Sequence, residues 1–192
     1  DHPDFVLSYN SLADTYGELG DHQKRLEYNQ KALSICERVL LADHPYLALS
    51  YNNLAVTYGA LGDHQKSLEY DQKALSIREK VLPLDHPDLA ITYNNLAATY
   101  HDMGDFQKCI EYFEKALTIW EKVLPSDHPD LAVSYNNLSR TYYDLGDIKQ
   151  AVDYMRKAVA IREKSLPAAH PDTAKSKKSL EIFEQRLKEG KE

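Results

Sequence analysis

The chain has 192 residues, 43% of them hydrophobic and 28% charged, which is the composition of a folded globular protein. Its 30 acidic and 23 basic residues are interspersed and leave a formal net charge of −7, which argues against nucleic acid or an anionic membrane as partner. No apolar run approaches the roughly 18 residues that cross a bilayer, and no secretion leader opens the chain. We therefore expect no membrane anchor.

A short motif recurs at a constant interval along the chain. Asp-His-Pro begins at residues 1, 43, 85 and 127, and Ala-His-Pro begins at 169, always 42 residues later. A constant period without insertions predicts an array of one structural unit. The predicted repeats are 1–42, 43–84, 85–126 and 127–168, followed by a C-terminal segment, 169–192. Because Asp1 lies in phase with the repeat and no methionine precedes it, we expect a segment of a longer repeat protein.

Each repeat contains two stretches with helical periodicity. In the third repeat the apolar residues of the first stretch are spaced along one side of a helix: Leu89, Tyr93, Leu96, Ala97, Tyr100 and Met103. A second stretch with the same spacing begins at Phe106, after Gly104-Asp105. The spacing predicts two amphipathic helices of about 17 and 20 residues in every repeat, joined by a tight turn.

Residues between the stretches predict where the helices begin and end. We expect Asp85 to cap the first helix, with Pro87 in its first turn, where a missing N–H costs nothing. Gly104 supplies a left-handed residue at the helix end, and Asp105 caps the next helix. The glycine and aspartate recur together in the other repeats, as Gly20-Asp21, Gly62-Asp63 and Gly146-Asp147. Two antiparallel helices per repeat are therefore predicted.

The segment 169–192 predicts one further helix that opens with His170-Pro171. Its apolar residues form a narrow stripe among lysines and glutamates: Ala174, Leu180, Phe183 and Leu187. A repeat array needs a terminal element whose outer face is polar. We interpret this helix as a cap on the fourth repeat.

The repeats resemble the tetratricopeptide repeat family. The resemblance rests on Tyr51-Asn52-Asn53-Leu54-Ala55, Tyr58, Gly62-Asp63 and Ala74-Leu75, and it covers residues 1 to 168. It is most similar to the 42-residue variety found in kinesin light chains. The resemblance implies an all-α solenoid of four antiparallel helix-turn-helix repeats in a right-handed superhelix, with the first helices lining a concave groove. Two positions of the second helix depart from the family pattern, with Arg25, Ser67, Cys109 and Ala151 at one and Asn29, Asp71, Phe113 and Met155 at the other. At these positions we expect wetter packing between the first two repeats.

One side of each first helix is left over from packing. At about 100° per residue, Ile91, Asn94, Asn95 and Ala98 fall opposite Tyr93. We call the equivalent residues of all four repeats the first-helix strip: Leu7, Asn10, Ser11 and Asp14; Leu49, Asn52, Asn53 and Val56; Ile91, Asn94, Asn95 and Ala98; Val133, Asn136, Asn137 and Arg140.

The first-helix strip is the predicted binding site for a protein or peptide partner. An asparagine amide both donates and accepts, so a row of them can hold the main chain of an extended peptide. The alternative is that these amides bond across neighbouring helices or face water. The strip lacks the lysines of family members that clamp a terminal carboxylate, and acidic residues lie along its edge: Asp14, Glu18, Asp102 and Asp144. We expect a ligand with apolar side chains and some positive charge.

Catalytic and cofactor signals are weak. The histidines His2, His44, His86, His128 and His170 recur with the repeat, so we interpret them as helix-start residues rather than metal ligands. No phosphate-binding loop or nucleophile motif is present. Cys36 and Cys109 lie at non-equivalent positions, which predicts a reducing, cytoplasmic location without disulfide or zinc. We expect a scaffold with no enzymatic activity, cofactor or metal. The alternatives are a spacer that self-associates end to end and a regulatory segment of a larger signalling or motor-adaptor protein.

Overall fold

A computed structural model of the chain describes residues 4–167 and 169–190. The roles predicted for Asp1, His2 and Pro3, and the repeat boundary at Ala168, lie outside the described residues. Across the described ranges the secondary structure consists of nine α-helices without strands: α1 (Asp4–Glu18), α2 (His22–Val39), α3 (Pro45–Ala60), α4 (His64–Val81), α5 (Pro87–Asp102), α6 (Phe106–Val123), α7 (Pro129–Leu145), α8 (Ile148–Ser165) and α9 (Pro171–Glu189). The predicted all-helical fold is confirmed.

The helices alternate between a shorter and a longer kind with the period of the sequence. The first helices have 15, 16, 16 and 17 residues, and the second helices all have 18. Both kinds are close to the predicted lengths. The second helices end before Pro83, Pro125 and Pro167, and the extended residue that follows each helix leads into the turn that begins the next one.

The chain divides into two compact units, with the boundary between Met103 and Gly104. In the first unit, α1 to α5 pack sequentially, and α3 also contacts α5. In the second unit, α6 packs on α7, α7 on α8 and α8 on α9. Each helix therefore finds its main apolar partner next to it along the chain, as repeat proteins require.

From α2 onward, helix starts are fixed by the residue immediately before each helix. Asp21, Asp63, Asp105 and Asp147 each accept a hydrogen bond from the backbone N–H three residues later, which confirms the predicted aspartate caps. The prediction of Asp85 as a cap was wrong. The cap is His86, whose Nδ1 accepts from the backbone N–H of Asp88 at 3.1 Å. Because the helix begins at Pro87, the histidine and not the aspartate stands at the capping position.

The histidine cap recurs where the repeat places it. His44, His128 and His170 accept from the backbone N–H two residues later at 3.1 to 3.2 Å. The interpretation of these histidines as helix-start residues is confirmed. The Nδ1 atom of each of these histidines therefore already accepts a hydrogen bond from the backbone.

Each first helix ends at a glycine with positive φ. Gly20, Gly62, Gly104 and Gly146 have φ values of +74°, +78°, +78° and +92°. At Gly62 the backbone N–H bonds back to Gly59 O, and the N–H of Asp63 bonds to Tyr58 O, both at 2.9 Å. These bonds satisfy the last carbonyls of α3 and turn the chain sharply into α4.

Small and large apolar side chains alternate in the core with the repeat period. Ala48, Ala90 and Ala132 are fully buried at one position, and Leu54, Leu96 and Leu138 at another. In the second unit, Phe183 of α9 is buried and stacks on Tyr143 with ring centroids 4.3 Å apart. This contact agrees with the interpretation of α9 as a cap on α8 and α7.

Three features of the packed faces differ from expectation. Met103 follows α5 as its C-cap and is exposed, because the helix ends one residue earlier. Ala174 is exposed, and the hydroxyl residues Thr173 and Ser176 are buried in its place. Buried hydroxyls also recur at Thr57, Thr99 and Thr141, where each bonds to the carbonyl of the preceding turn or to a neighbouring side chain.

Candidate functional site

The first-helix strip of the first unit combines exposed apolar side chains with half-buried amides. Leu7 is 64% exposed, and Leu49 and Ile91 are also exposed, at equivalent positions of α1, α3 and α5. The asparagines of the strip are half-buried in the same helices: Asn10, Asn52, Asn53, Asn94 and Asn95. An apolar row of this kind, open to solvent, is typical of a surface that binds another molecule.

The asparagines of the first unit fall into two groups. Asn95 donates through Nδ2 to Asn52 Oδ1 at 2.8 Å, so this pair joins α5 to α3. The side-chain oxygens of Asn10 and Asn94 are shielded from solvent and accept no hydrogen bond from any described residue. One pair therefore serves packing between repeats, whereas the other two amides have an acceptor to offer.

In the second unit the strip lies on α7. Val133 and Arg140 are exposed, and Asn136 and Asn137 are half-buried. Asn136 Oδ1 accepts from Nη1 of Arg162 at 3.4 Å. Its amide is thus partly engaged within the chain, and the exposed groups of this unit are the valine and the arginine.

An apolar pocket opens on the strip between α1, α2 and α3. Its cavity volume is about 280 Å³, and Leu7 and Asn10 line it from α1 while Leu49 lines it from α3. We call it the Cys36 pocket, after the α2 residue that also lines it; the remaining lining residues are Val6, Val39, Leu40, His44 and Tyr46. The size suits one amino-acid side chain rather than a drug-sized ligand.

The Cys36 pocket exists because a long side chain is missing there. The equivalent residues of the second and fourth repeats are Arg78 and Arg162, 42 and 126 residues further along. Arg78 Nη1 donates to Asp88 O at 3.1 Å and to Thr92 Oγ1, and Arg162 Nη1 reaches Ser176 Oγ and Asn136 Oδ1. Cys36 is too short to reach Asn10, the equivalent of Asn136, which explains why Asn10 Oδ1 accepts nothing.

A second pocket on the strip lies between α3, α4 and α5 and has polar walls. Its cavity volume is about 340 Å³. We call it the Asp71 pocket, after the α4 residue that lines it together with Val56, Gly59, Ala60, Ser67, Asn95, Ala98, Thr99 and Asp102. Val56, Asn95 and Ala98 belong to the first-helix strip, so a chain lying on the strip would pass over this opening.

Asp71 is a buried carboxyl group with only one of its two oxygens bonded. Its side chain is 1% exposed; Oδ2 accepts from Thr99 Oγ1 at 3.0 Å, while Oδ1 has no partner among the described residues. Ser67 Oγ lies 3.0 Å from the same threonine hydroxyl. Burial raises the pKa of Asp71 to about 7, although the Thr99 hydrogen bond and the charge of Arg78 both act to lower it.

Sequence reasoning missed both pockets as binding features. The equivalent residues Asn29, Asp71, Phe113 and Met155 were predicted only to depart from the packing pattern of the family. No role was predicted for the equivalent residues Cys36, Arg78, Trp120 and Arg162. A buried acid where other repeats carry Phe or Met, and a cysteine where others carry long side chains, are the signals that identify them. Among the described residues no cluster of three metal-ligating side chains occurs, and no helix there is long and apolar enough to cross a membrane.

The described part of the chain has two helices per 42 residues, and their histidine and aspartate caps recur with that period. A sequence model of the tetratricopeptide repeat family matches residues 4–80 and 88–164. The chain is a tetratricopeptide repeat protein. The matched residues account for most of its length, and its 42-residue repeat is of the kinesin-light-chain-like variety.

Solved structures of tetratricopeptide repeat proteins resemble this one. A structure from Podosopora anserina, described as a kinesin light chain with nearly identical TPR-like repeats, has a TM-score of 0.87 and 30% identity, covering 98% of this chain and 90% of that chain. BtubC (BKLC) from P. vanneervenii has a TM-score of 0.83 and 24% identity over 95% of this chain and 73% of its own. The apo form of RapI has a TM-score of 0.75 and 19% identity over 86% and 58%. The last two likenesses concern the fold alone. A comparison with curated proteins finds no match.

Proposed function

We propose that this tetratricopeptide repeat protein is a non-catalytic scaffold whose two units each bind an extended segment of a partner protein along their own part of the first-helix strip. Tetratricopeptide repeats in general mediate protein interactions, and the proposal assigns the binding surface to the first-helix strip. The residues proposed to contact the partner are those predicted from the sequence: Asn10, Leu49, Asn52, Asn53, Ile91, Asn94 and Asn95 in the first unit, and Val133, Asn136, Asn137 and Arg140 in the second. We place this activity in the cytoplasm, where the free cysteines Cys36 and Cys109 stay reduced.

The observation that carries the proposal is the Cys36 pocket. The exposed leucines Leu7 and Leu49 of the strip line it, and the Asn10 side-chain oxygen in its wall has no partner among the described residues. A buried acceptor left without a donor costs free energy, and a ligand that supplies an N–H recovers it. An extended peptide offers a side chain to fill the cavity and a backbone N–H to donate to the Asn10 side-chain oxygen, because each of its residues carries both groups. The preferred partner therefore places an apolar side chain in this pocket.

The affinity expected for such a segment is modest. One anchored side chain and a few amide bonds must offset the ordering of a flexible peptide. A dissociation constant on the order of micromolar, about −8 kcal/mol, is the range in which short segments bind.

A selection from a random peptide library tests the proposal. Peptides enriched on the full chain are titrated calorimetrically against the wild type and against the double variant Leu49→Ser, Ile91→Ser. Both leucine and isoleucine are exposed, so their replacement should leave the fold intact, which circular dichroism verifies. We expect the dissociation constant to rise at least tenfold.

The matched control replaces an exposed apolar residue away from the strip. Leu84 is 82% exposed in the loop before α5, and Leu84→Ser should leave the peptide affinity unchanged. Equal loss in both variants would refute the assignment of binding to the strip. Failure of the library to enrich any peptide above background would refute peptide binding itself.

Self-association is the second candidate function, and the exposed apolar face of α1 favours it. Phe5 and Leu12, seven residues apart and therefore on one side of this helix, are both at least 40% exposed. A second copy of the chain can bury such a face. A mass by light scattering that rises with protein concentration, and falls back in Phe5→Ser with Leu12→Ser, would support this function over a monomeric scaffold.

A further inference from the structure

We infer that the Asp71 pocket is a receptor site for an arginine side chain of the bound partner. The inference rests on the proposed function and deepens it, because it names one residue type that the segment on the first-helix strip carries. The pocket opens between strip residues of α3 and α5, and its inner wall includes a buried carboxyl group.

The equivalent space of the first repeat is lined by an arginine, Arg25, together with Asp14, Gly17 and Glu18. Arg25 stands where the second repeat has Ser67, and its side chain packs over Gly17, the equivalent of Gly59. A Cβ built on Gly17 would lie 3.1 Å from Cδ and Nε of Arg25, so the stem and the guanidinium rest directly on that glycine. In the second repeat the glycine is kept, and Ser67 Oγ would lie 3.4 Å from a Cβ built on Gly59, so a hydroxyl lies there instead of a guanidinium.

The second repeat also changes the charge of this space. Asn29, the amide of the first repeat, donates through Nδ2 to Thr57 Oγ1 at 2.9 Å. Its equivalent, Asp71, instead accepts from Thr99, the equivalent of Thr57, and keeps Oδ1 unpartnered. Compared with the first repeat, the second therefore has a serine in place of the half-buried Arg25 and, one helical turn further along α4, a buried acid in place of an amide.

The groups around the Asp71 pocket match a guanidinium better than an ammonium. A guanidinium presents five N–H donors in a plane, whereas a lysine ammonium presents three from one point. The acceptors of the pocket are spread over its wall: Asp71 Oδ1, Ser67 Oγ, the Asn95 amide and, at the mouth, the exposed carboxylate of Asp102. The remaining wall residues, Val56, Gly59, Ala60 and Ala98, offer apolar surface to the stem of the side chain.

Charged groups on the surrounding helices set how pH acts on this site. On α4, the charge of Arg78 lowers the pKa of Asp71, and on α5 the carboxylate of Asp88 faces Arg78 in turn. Two histidines lie near the carboxylate of Asp102: Nδ1 of His64 is 3.8 Å from Oδ2, and Nδ1 of His101 is 3.8 Å from Oδ1. The α3 residues lining the pocket carry no charge. Because burial favours the protonated acid, an entering cation must expel the proton of Asp71. Binding of arginine should therefore release a proton and weaken as the pH falls below 7.

A titration with arginine derivatives tests the inference on the full chain. Nα-acetyl-arginine N-methylamide is added to ¹⁵N-labelled protein at pH 8, and backbone amide shifts are followed by NMR. Nα-acetyl-citrulline N-methylamide is the control ligand, since it has nearly the same shape without the charge. We expect saturable shifts at Ser67, Asp71 and Thr99 for arginine, at least tenfold weaker binding for citrulline, and about tenfold weaker arginine binding at pH 6 than at pH 8.

Two variants locate the effect. Asp71→Asn removes the charge and should weaken arginine binding at least tenfold, whereas Asp14→Asn removes an exposed carboxylate of the same strip and should not. Ser67→Arg places a guanidinium over Gly59 as Arg25 lies over Gly17, so it should compete for the carboxylate of Asp71 and abolish the shifts while the chain stays folded. His64→Gln should keep the pH dependence, because the proton released comes from Asp71.

Some outcomes would overturn the inference. Equal binding of the citrulline and arginine derivatives would show that the charge is not recognised. Equal binding of a third ligand, Nα-acetyl-lysine N-methylamide, would show that the guanidinium is not recognised. Unchanged binding in Ser67→Arg would place the site elsewhere. None of these results bears on the peptide titrations with the Leu49 and Ile91 variants, so the inference can fail while the proposed function stands.

Discussion

Replacing Asp71 with asparagine should stabilise the fold at neutral pH and flatten its pH dependence. The unfolded carboxyl group titrates at its ordinary pKa of 3.8, whereas the folded one keeps its proton to about 7. Between these values the folded chain binds more protons than the unfolded chain, so the free energy of unfolding falls as pH rises. At about 1.36 kcal/mol per pKa unit, the full effect is about 4 kcal/mol, present below pH 4 and lost above pH 7.

An asparagine at position 71 does not ionise, so it avoids this loss of stability, and the first repeat already carries an asparagine at the equivalent position. Asn29 is 2% exposed at the equivalent position and bonds to Thr57, so Asp71→Asn can bond to Thr99 in the same way. Urea unfolding followed by circular dichroism should show a gain of about 4 kcal/mol at pH 8 and less than about 2 kcal/mol at pH 5. The exposed control Asp14→Asn should show neither. A gain as large at pH 5 as at pH 8, or a loss at pH 8, would refute the assignment of a buried, protonated acid.

Substitutions at four further positions test the fold. Leu54→Ala deletes a fully buried side chain and should cost about 2–5 kcal/mol in urea unfolding; a cost below 1 kcal/mol would contradict the core described here. Gly62→Ala places a Cβ at a φ of +78° and should cost about 1 kcal/mol or more, whereas Gly59→Ala, inside α3, should stabilise by up to about 1 kcal/mol because alanine favours the helix. His86→Ala removes an N-cap and should cost about 1 kcal/mol with faster amide exchange at Asp88, and His86→Asn should restore both; equal exchange in all three proteins would argue against the cap.

The fold could be predicted from the sequence because its signals are local and repeated. Gly62 and Asp63 specify a helix end and a helix start within two residues, and the same pair returns 42 residues later. A single ambiguous turn would have been weak evidence, but four agreeing copies removed the ambiguity. The error at Asp85 shows the limit of this reasoning: aspartate is a common capping residue, and only the position of Pro87 in the structure shows that the cap is His86.

The pockets were not predicted because their signal lies in how one repeat differs from the others at equivalent positions, and not in any residue taken alone. Asp71 on its own looks like an ordinary surface acid of an amphipathic helix, yet it is 1% exposed. Its burial follows from the packing of α4 against α5, which no residue near it in sequence reveals. The pairing of Asn95 with Asn52 is likewise a contact between repeats, so the periodicity placed both amides on the strip without showing that they bond to each other.

The side chains that cap the helices act over only two or three residues, at His44, Asp63, His86 and Asp105 alike. Each 42-residue copy from residue 43 onward thus contains its own start and stop signals among the described residues, and none is shared with a neighbour. A gene that gained or lost one whole copy would still encode helices with intact ends, while an insertion of another length would shift the interlocking alanines and leucines out of step. Growth and shortening of such an array by unequal recombination should therefore be tolerated in whole copies only.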